Sequence, residues 1–205
     1  MLYYCELKVL LNANMRRIIL ASSSPRRKAL LEQIALKFEV DARVAEDDGP
    51  AGSEPHRLTR DISLKKAESV AGSYSDAIII AADTIGVVDG RIIGKPHSES
   101  EARDMLALLS GRAHSVITGF TVLDTRTGKS VSRSVETTVY MKPISKSEID
   151  AYIKTGEPLD KAGSYAIQGL GAALVERIEG DYSNVIGLPL SALAVTLKEF
   201  GVNVL

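Results

Sequence analysis

Residues 21–27, Ala21-Ser22-Ser23-Ser24-Pro25-Arg26-Arg27, set three hydroxyls and two guanidiniums at the end of a short apolar run. Ser24 reads as a helix N-cap with Pro25 at the first helical position, where its missing N–H costs nothing. A helix start offers free N–H groups and about half a positive charge, and arginine forks match phosphate oxygens in pairs. The chemistry on offer is phosphate binding. The other reading is a capped helix with two solvated arginines. Asp83-Thr84 follows the most apolar run of the chain. A carboxylate there can hold Mg²⁺ or orient a water, or it can simply cap the next turn. Lys95 sits on a tight turn, Gly94-Lys95-Pro96, and Glu46, Asp47 and Asp48 form a short acidic loop. Read functionally, they add a cation and a second metal-facing carboxylate. Read otherwise, they are a surface lysine and a solvated loop. The combination of phosphate-shaped cations and an oxygen-type metal site suggests a phosphate-ester or phosphoanhydride hydrolase.

Other chemistries find less support. A formal net charge of -1 provides no global field for a long polyanion, so nucleic acid is not expected as a partner. The single cysteine, Cys5, excludes an internal disulfide, and His56, His97 and His114 are scattered without zinc spacing. They read as surface or structural histidines. There is no GxxxxGK[ST] loop and no GxSxG elbow, and Gly169-Leu170-Gly171 lacks the third glycine of a dinucleotide fingerprint. No apolar run reaches the ~18 residues of a membrane helix, and the chain is expected in the cytoplasm. Residues 1–14 read as an extension, with Met15 as an alternative start.

The elements that must position these side chains follow from pattern. Arg17 to Ala21 is a short buried strand, and Leu30, Leu31 and Ile34 mark the helix after it. Phe38 to Val44 has strand character, and Leu58 to Ala71 is helical with Leu58, Ile62, Lys66 and Ser69 on one line. Ala77 to Ala82 is a continuous apolar run, the mark of a strand covered on both faces, and is expected to end at Asp83-Thr84. Asp89-Gly90 signals a hairpin. Ser98 with Glu101, and Ser145 with Glu148, are capping boxes that open helices. Val116 to Leu123 and Val131 to Met141 form a hairpin, Ala172 to Ile178 a further strand, and Leu190, Leu193 and Leu197 the last helix. Helices alternating with strands early, and hairpins later, imply an α/β or α+β fold with a mixed sheet in one unit.

Six strings, ASSSPRR, ADT, GKP, SGRAHSVITG, EPLDKAGSYAIQGLG and GDYSNVIGLPL, follow one another from Met15 to the C-terminus. In that order and spacing the chain resembles the Maf family of nucleoside triphosphate pyrophosphatases. The resemblance implies an elongated mixed sheet flanked by helices, two lobes around a cleft as in inosine triphosphatases, and a homodimer. It implies one domain over 15–205, with 1–14 having no counterpart. It implies hydrolysis between the α and β phosphates with Mg²⁺ or Mn²⁺, releasing a monophosphate and pyrophosphate. The DKAGSYAIQG form with Gln168 resembles the branch acting on dTTP and UTP.

Carried over by position, Asp83 is the catalytic carboxylate. Ser22, Arg26, Arg27, Lys66, Thr84, Lys95, Lys161 and Gln168 are substrate-binding, with Arg27, Thr84 and Gln168 tied to substrate choice. Asp83 with Asp47, or with Glu46 one residue away, would hold the metal. The family usually has a glutamate where the best alignment puts Asp47. Asp83 serves as proton acceptor or metal ligand, and sequence does not separate the two. Two rivals stand beside this reading: a nucleotide-binding regulator of cell division with little catalysis, and a methyl-GTP-type pyrophosphatase. Modified pyrimidine nucleotides such as 5-methyl-UTP and pseudo-UTP remain open as substrates.

Overall fold

The computed structural model describes residues 16–43 and 53–204. The extension 1–14, Met15 and the loop with Glu46, Asp47 and Asp48 lie outside the described residues. Strands β1 (Arg17–Ala21), β2 (Glu39–Val40), β3 (Ala77–Val88), β4 (Arg91–Ile93), β5 (Ala113–Asp124), β6 (Ser130–Met141) and β7 (Val175–Glu179) form one sheet. Its order is β2-β1-β3-β5-β6-β7, with β4 paired to β3. β1 runs parallel to β2 and β3, and all other pairings are antiparallel. The mixed sheet expected from the sequence is what forms.

Among the described residues, six α-helices cover it: α1 (Pro25–Gln33), α2 (Pro55–Ala71), α3 (Glu99–Leu109), α4 (Lys146–Ile153), α5 (Tyr182–Ile186) and α6 (Leu190–Lys198). Side chains alternate across a strand, so β3 serves two layers at once. Ala77, Ile79 and Ala81 pack with Ala67 and Val70 of α2. Ile78, Ile80 and Ala82 pack with Leu30 and Leu31 of α1 and with Leu193 and Leu197 of α6. Burying each of those isoleucines stabilises the fold by roughly 1.5–3 kcal/mol. A separate core joins Leu106 and Leu109 of α3, Ile149 and Ile153 of α4, and Val139 and Met141 of β6. At Gly119 of β5 the backbone of α2 comes so close that a Cβ would lie 2.3 Å from the Thr59 carbonyl carbon. Only glycine permits that approach, which brings Lys66 down onto the sheet.

Four expectations need correction. β3 does not end at Asp83-Thr84 but continues to Val88, because β5 pairs with it from Ile78 to Val87. Along β3, pairing with β1 stops at Ala81 and pairing with β4 starts only at Gly86. Between these points no described strand borders β3 on the edge away from β5, which leaves a notch in the sheet. The strand expected from Phe38 shrinks to Glu39–Val40, beyond which the Asp41 carboxylate accepts from the Arg43 N–H at 3.1 Å. In place of a strand from Ala172 there is a 3₁₀ segment, Gly169–Leu174, followed by β7. The Ser98 box is half made: Ser98 accepts from Glu101 N–H, but the Glu101 carboxylate takes the His97 N–H at 2.8 Å. The Ser145–Glu148 box is complete.

Candidate active site

The notch opens into a cavity of about 310 Å³, at the small end of the range for small-molecule sites. All nine described site residues named from the sequence line it. Ser22, Arg26 and Arg27 come from the junction of β1 and α1, and Lys66 from the buried face of α2. Asp83 and Thr84 come from β3, Lys95 from the irregular segment after β4, and Lys161 and Gln168 from the loop before the 3₁₀ segment. Asp83 and Thr84 are adjacent on a strand and so point to opposite faces. They share one pocket because the sheet is interrupted beside them.

Ser24 caps α1 as expected, accepting from the Arg27 N–H at 3.4 Å, and its own N–H donates to Ser22 Oγ at 3.2 Å. The Arg27 guanidinium donates to Gly187 O at 2.9 Å, Ser22 Oγ at 3.3 Å and Thr84 Oγ1 at 3.1 Å. The Thr118 hydroxyl donates to Asn184 O at 2.9 Å, and Thr84 and Thr118 hydroxyls are 2.9 Å apart. With one hydrogen each, Thr84 must donate to Thr118 and accept from Arg27. The line Arg27–Thr84–Thr118–Asn184 therefore has one direction, and it fixes the guanidinium.

On the other face, Lys66 Nζ donates to Asp83 Oδ1 at 2.7 Å, with side chains only 9% and 16% exposed. A lysine on the apolar stripe of α2 is explained by this carboxylate, since a buried charge must be paired. Ser69, expected on the same line, faces solvent, and its hydroxyl donates to Lys66 O at 2.8 Å. The pocket's charged lining is Arg26, Arg27, Lys66, Lys95 and Lys161 against Asp83 and Asp160. In a chain of net charge -1, this local excess of cations suits a polyanionic ligand.

Sequence reasoning missed Asp160 and Tyr165. The Asp160 carboxylate lies 2.5 Å from Lys161 Nζ. Burial works against its charge, but Lys161 and Arg26 outweigh that and hold its pKa below the usual value. The Tyr165 hydroxyl shares a 2.8 Å hydrogen bond with His114 Nε2, edge to face. Both residues stand in the strings quoted above, but nothing in their spacing announces the contact.

His114 is a structural histidine, and burial alone pushes its imidazole down to about 4. In the unfolded chain the ordinary value is about 6.5. Between those values the unfolded chain binds a proton that the folded chain does not. Stability is therefore expected to fall by about 3 kcal/mol as pH drops from 6.5 to 4, and His114 adds no slope above that window. Asp41 and Asp124, held well below the carboxylate range by Arg43 and Arg16, lose their contribution at lower pH. Urea titrations of wild type and His114→Gln at pH 7 and 4.5 check this; an equal loss in both would refute it.

A model of the Maf family, described as Maf-like protein, matches residues 17–200. The chain belongs to the Maf family. A Maf relative from Methanosarcina barkeri, named dTTP/UTP pyrophosphatase, is 50% identical over 191 residues, 93% of this chain and 97% of that protein. One of the same name from Alkaliphilus metalliredigens is 49% identical over 193 residues, covering 93% of this chain and all of its own. Among solved structures, a HAM1 protein from Coxiella burnetii aligns with TM-score 0.54 and 17% identity, over 90% of this chain and 100% of that one. The Staphylococcus aureus Ham1 protein aligns with TM-score 0.51 and 13% identity, over 90% and 99%. At that identity, the likeness between the Maf chain and Ham1 is one of fold.

Proposed function

We propose that this chain hydrolyses dTTP and UTP to the monophosphate and pyrophosphate. The observation that carries the proposal is the meeting of Arg26, Arg27, Lys66, Lys95 and Lys161 around Asp83 in one cleft, taken with the name of the Maf relatives. The cations neutralise charge on the triphosphate, most usefully on the departing pyrophosphate. A water attacks the α phosphorus in line, the bond from that phosphorus to the α–β bridging oxygen breaks, and the Asp83 carboxylate accepts the proton. Gln168 offers one acceptor and two donors, which suits a pyrimidine edge.

A divalent ion belongs to the same reading. Asp83 fits it, because Mg²⁺ is commonly held by one or two carboxylates together with substrate phosphates. Bound there, the ion would stabilise the negative charge of the triphosphate. Glu46 and Asp47 remain proposed as the second carboxylate. The resemblance adds a homodimer and a cytoplasmic setting. Among the described residues no helix is long and apolar enough to cross a membrane.

The test is a panel of UTP, dTTP, CTP, methyl-GTP, 5-methyl-UTP and pseudo-UTP with Mg²⁺ or Mn²⁺, products resolved by chromatography. Monophosphate plus pyrophosphate is expected, with kcat/KM highest on UTP, dTTP or their modified forms. Diphosphate plus orthophosphate would place the cut at the wrong bond. Preference for methyl-GTP would reverse the branch, and binding without turnover would leave a regulator.

A further inference from the structure

The loop that carries Lys161 and Gln168 into the cleft is held by a carboxylate outside it. Glu157 does not line the cavity. Its Oε1 accepts from the Tyr152 hydroxyl at 2.8 Å and the Gly171 N–H at 3.0 Å, and its Oε2 accepts from the Leu170 N–H at 3.1 Å. The Tyr152 oxygen in turn accepts from the Ala166 N–H at 3.2 Å. Backbone is thus pinned at 166 and again at 170, with Gln168 midway. Glu157 O also accepts from Lys161 Nζ at 2.7 Å. The fit is close on every side. At Gly169, φ is +77°, and an added Cβ would meet Glu157 Oε2 at 2.8 Å; at Gly171 one would meet Tyr152 Oη at 2.5 Å.

We propose that Glu157, acting partly through Tyr152, is the positioning residue that sets the place of Gln168 and thereby the choice of base. The proposal rests on the reading of Gln168 as the group facing the base. The glutamate touches no substrate. Replacing it with glutamine keeps the size but turns one acceptor into an NH₂ that meets a backbone N–H, so at least one anchor is lost. A loop released by even a fraction of an ångström forfeits directional contacts to the base, whereas the phosphate cations sit mainly on other elements.

The experiment uses the full chain with Mg²⁺ and compares kcat/KM on UTP and CTP. Glu157→Gln is expected to cut the UTP-to-CTP ratio about 10-fold. Gln168→Ala should do the same, and the double variant should be no worse than Gln168→Ala. Amide exchange at 166–171 should quicken by an order of magnitude or more while that of β3 stays unchanged. An unchanged ratio, or multiplicative losses in the double variant, would overturn the proposal. Should Glu157→Gln fail to fold, Tyr152→Phe carries the same test, because its ring remains while the hydroxyl's bonds to Ala166 and Glu157 are lost. If the wild-type chain turned over no triphosphate, the hydrolase reading would fall; exchange at 166–171 would then decide the clamp alone, and no change there would overturn it.

Discussion

Asp83→Asn is expected to lower kcat by roughly 10³-fold, within the span that a positioned acid or base contributes. The amide has the same shape, so the cleft stays open, but it cannot accept a proton or pair with the Lys66 ammonium 2.7 Å away. A metal titration of the variant separates the two roles open to this carboxylate. If Asp83 is a ligand, raising Mg²⁺ or Mn²⁺ restores part of the rate. If it is the base, the rate stays low in excess metal. Near-normal turnover at saturating metal would remove Asp83 from the chemistry altogether.

Lys66→Met is expected to damage both stability and turnover, and the two effects should separate. Removing one partner of a buried pair leaves the other charge stranded, at a cost of about 3 kcal/mol. That corresponds to a Tm lower by roughly 6–12 °C for a chain of this size. Adding Asp83→Asn removes the stranded charge and should recover much of the Tm. Turnover should fall about 10²-fold in the single variant, as when one electrostatic contact to the transition state is deleted. It should not recover in the double variant. Thermal melts and single-substrate kinetics on the four proteins close the cycle. A Lys66→Met chain with unchanged Tm would mean that the 2.7 Å contact carries no stability.

The sequence by itself determined the parts governed by short-range rules. β1, the apolar run of β3, the Ser24-Pro25 helix start and the Ser145 box follow from side-chain period and capping, in which a residue's neighbours in sequence are its neighbours in space. The ordered strings of the Maf resemblance likewise marked nine residues that line one cavity. Where the expectations slipped, a partner distant in sequence had intervened. Asp83-Thr84 looked like a strand end because the apolar run stops there, but pairing with β5 carries β3 onward to Val88. The region from Gly169 looked like strand, but a carboxylate twelve residues before Gly169 takes two of its N–H groups.

Tertiary structure alone decided why adjacent residues on opposite faces of a strand serve one pocket: β1 and β4 stop short of each other along β3, which no local pattern records. It alone paired Lys66 with Asp83, seated His114 against Tyr165, and made Glu157 an anchor for the loop that presents Gln168. Each of these depends on desolvation and on distances fixed only when layers pack, and a hydrogen bond or ion pair becomes decisive only once water has been excluded around it.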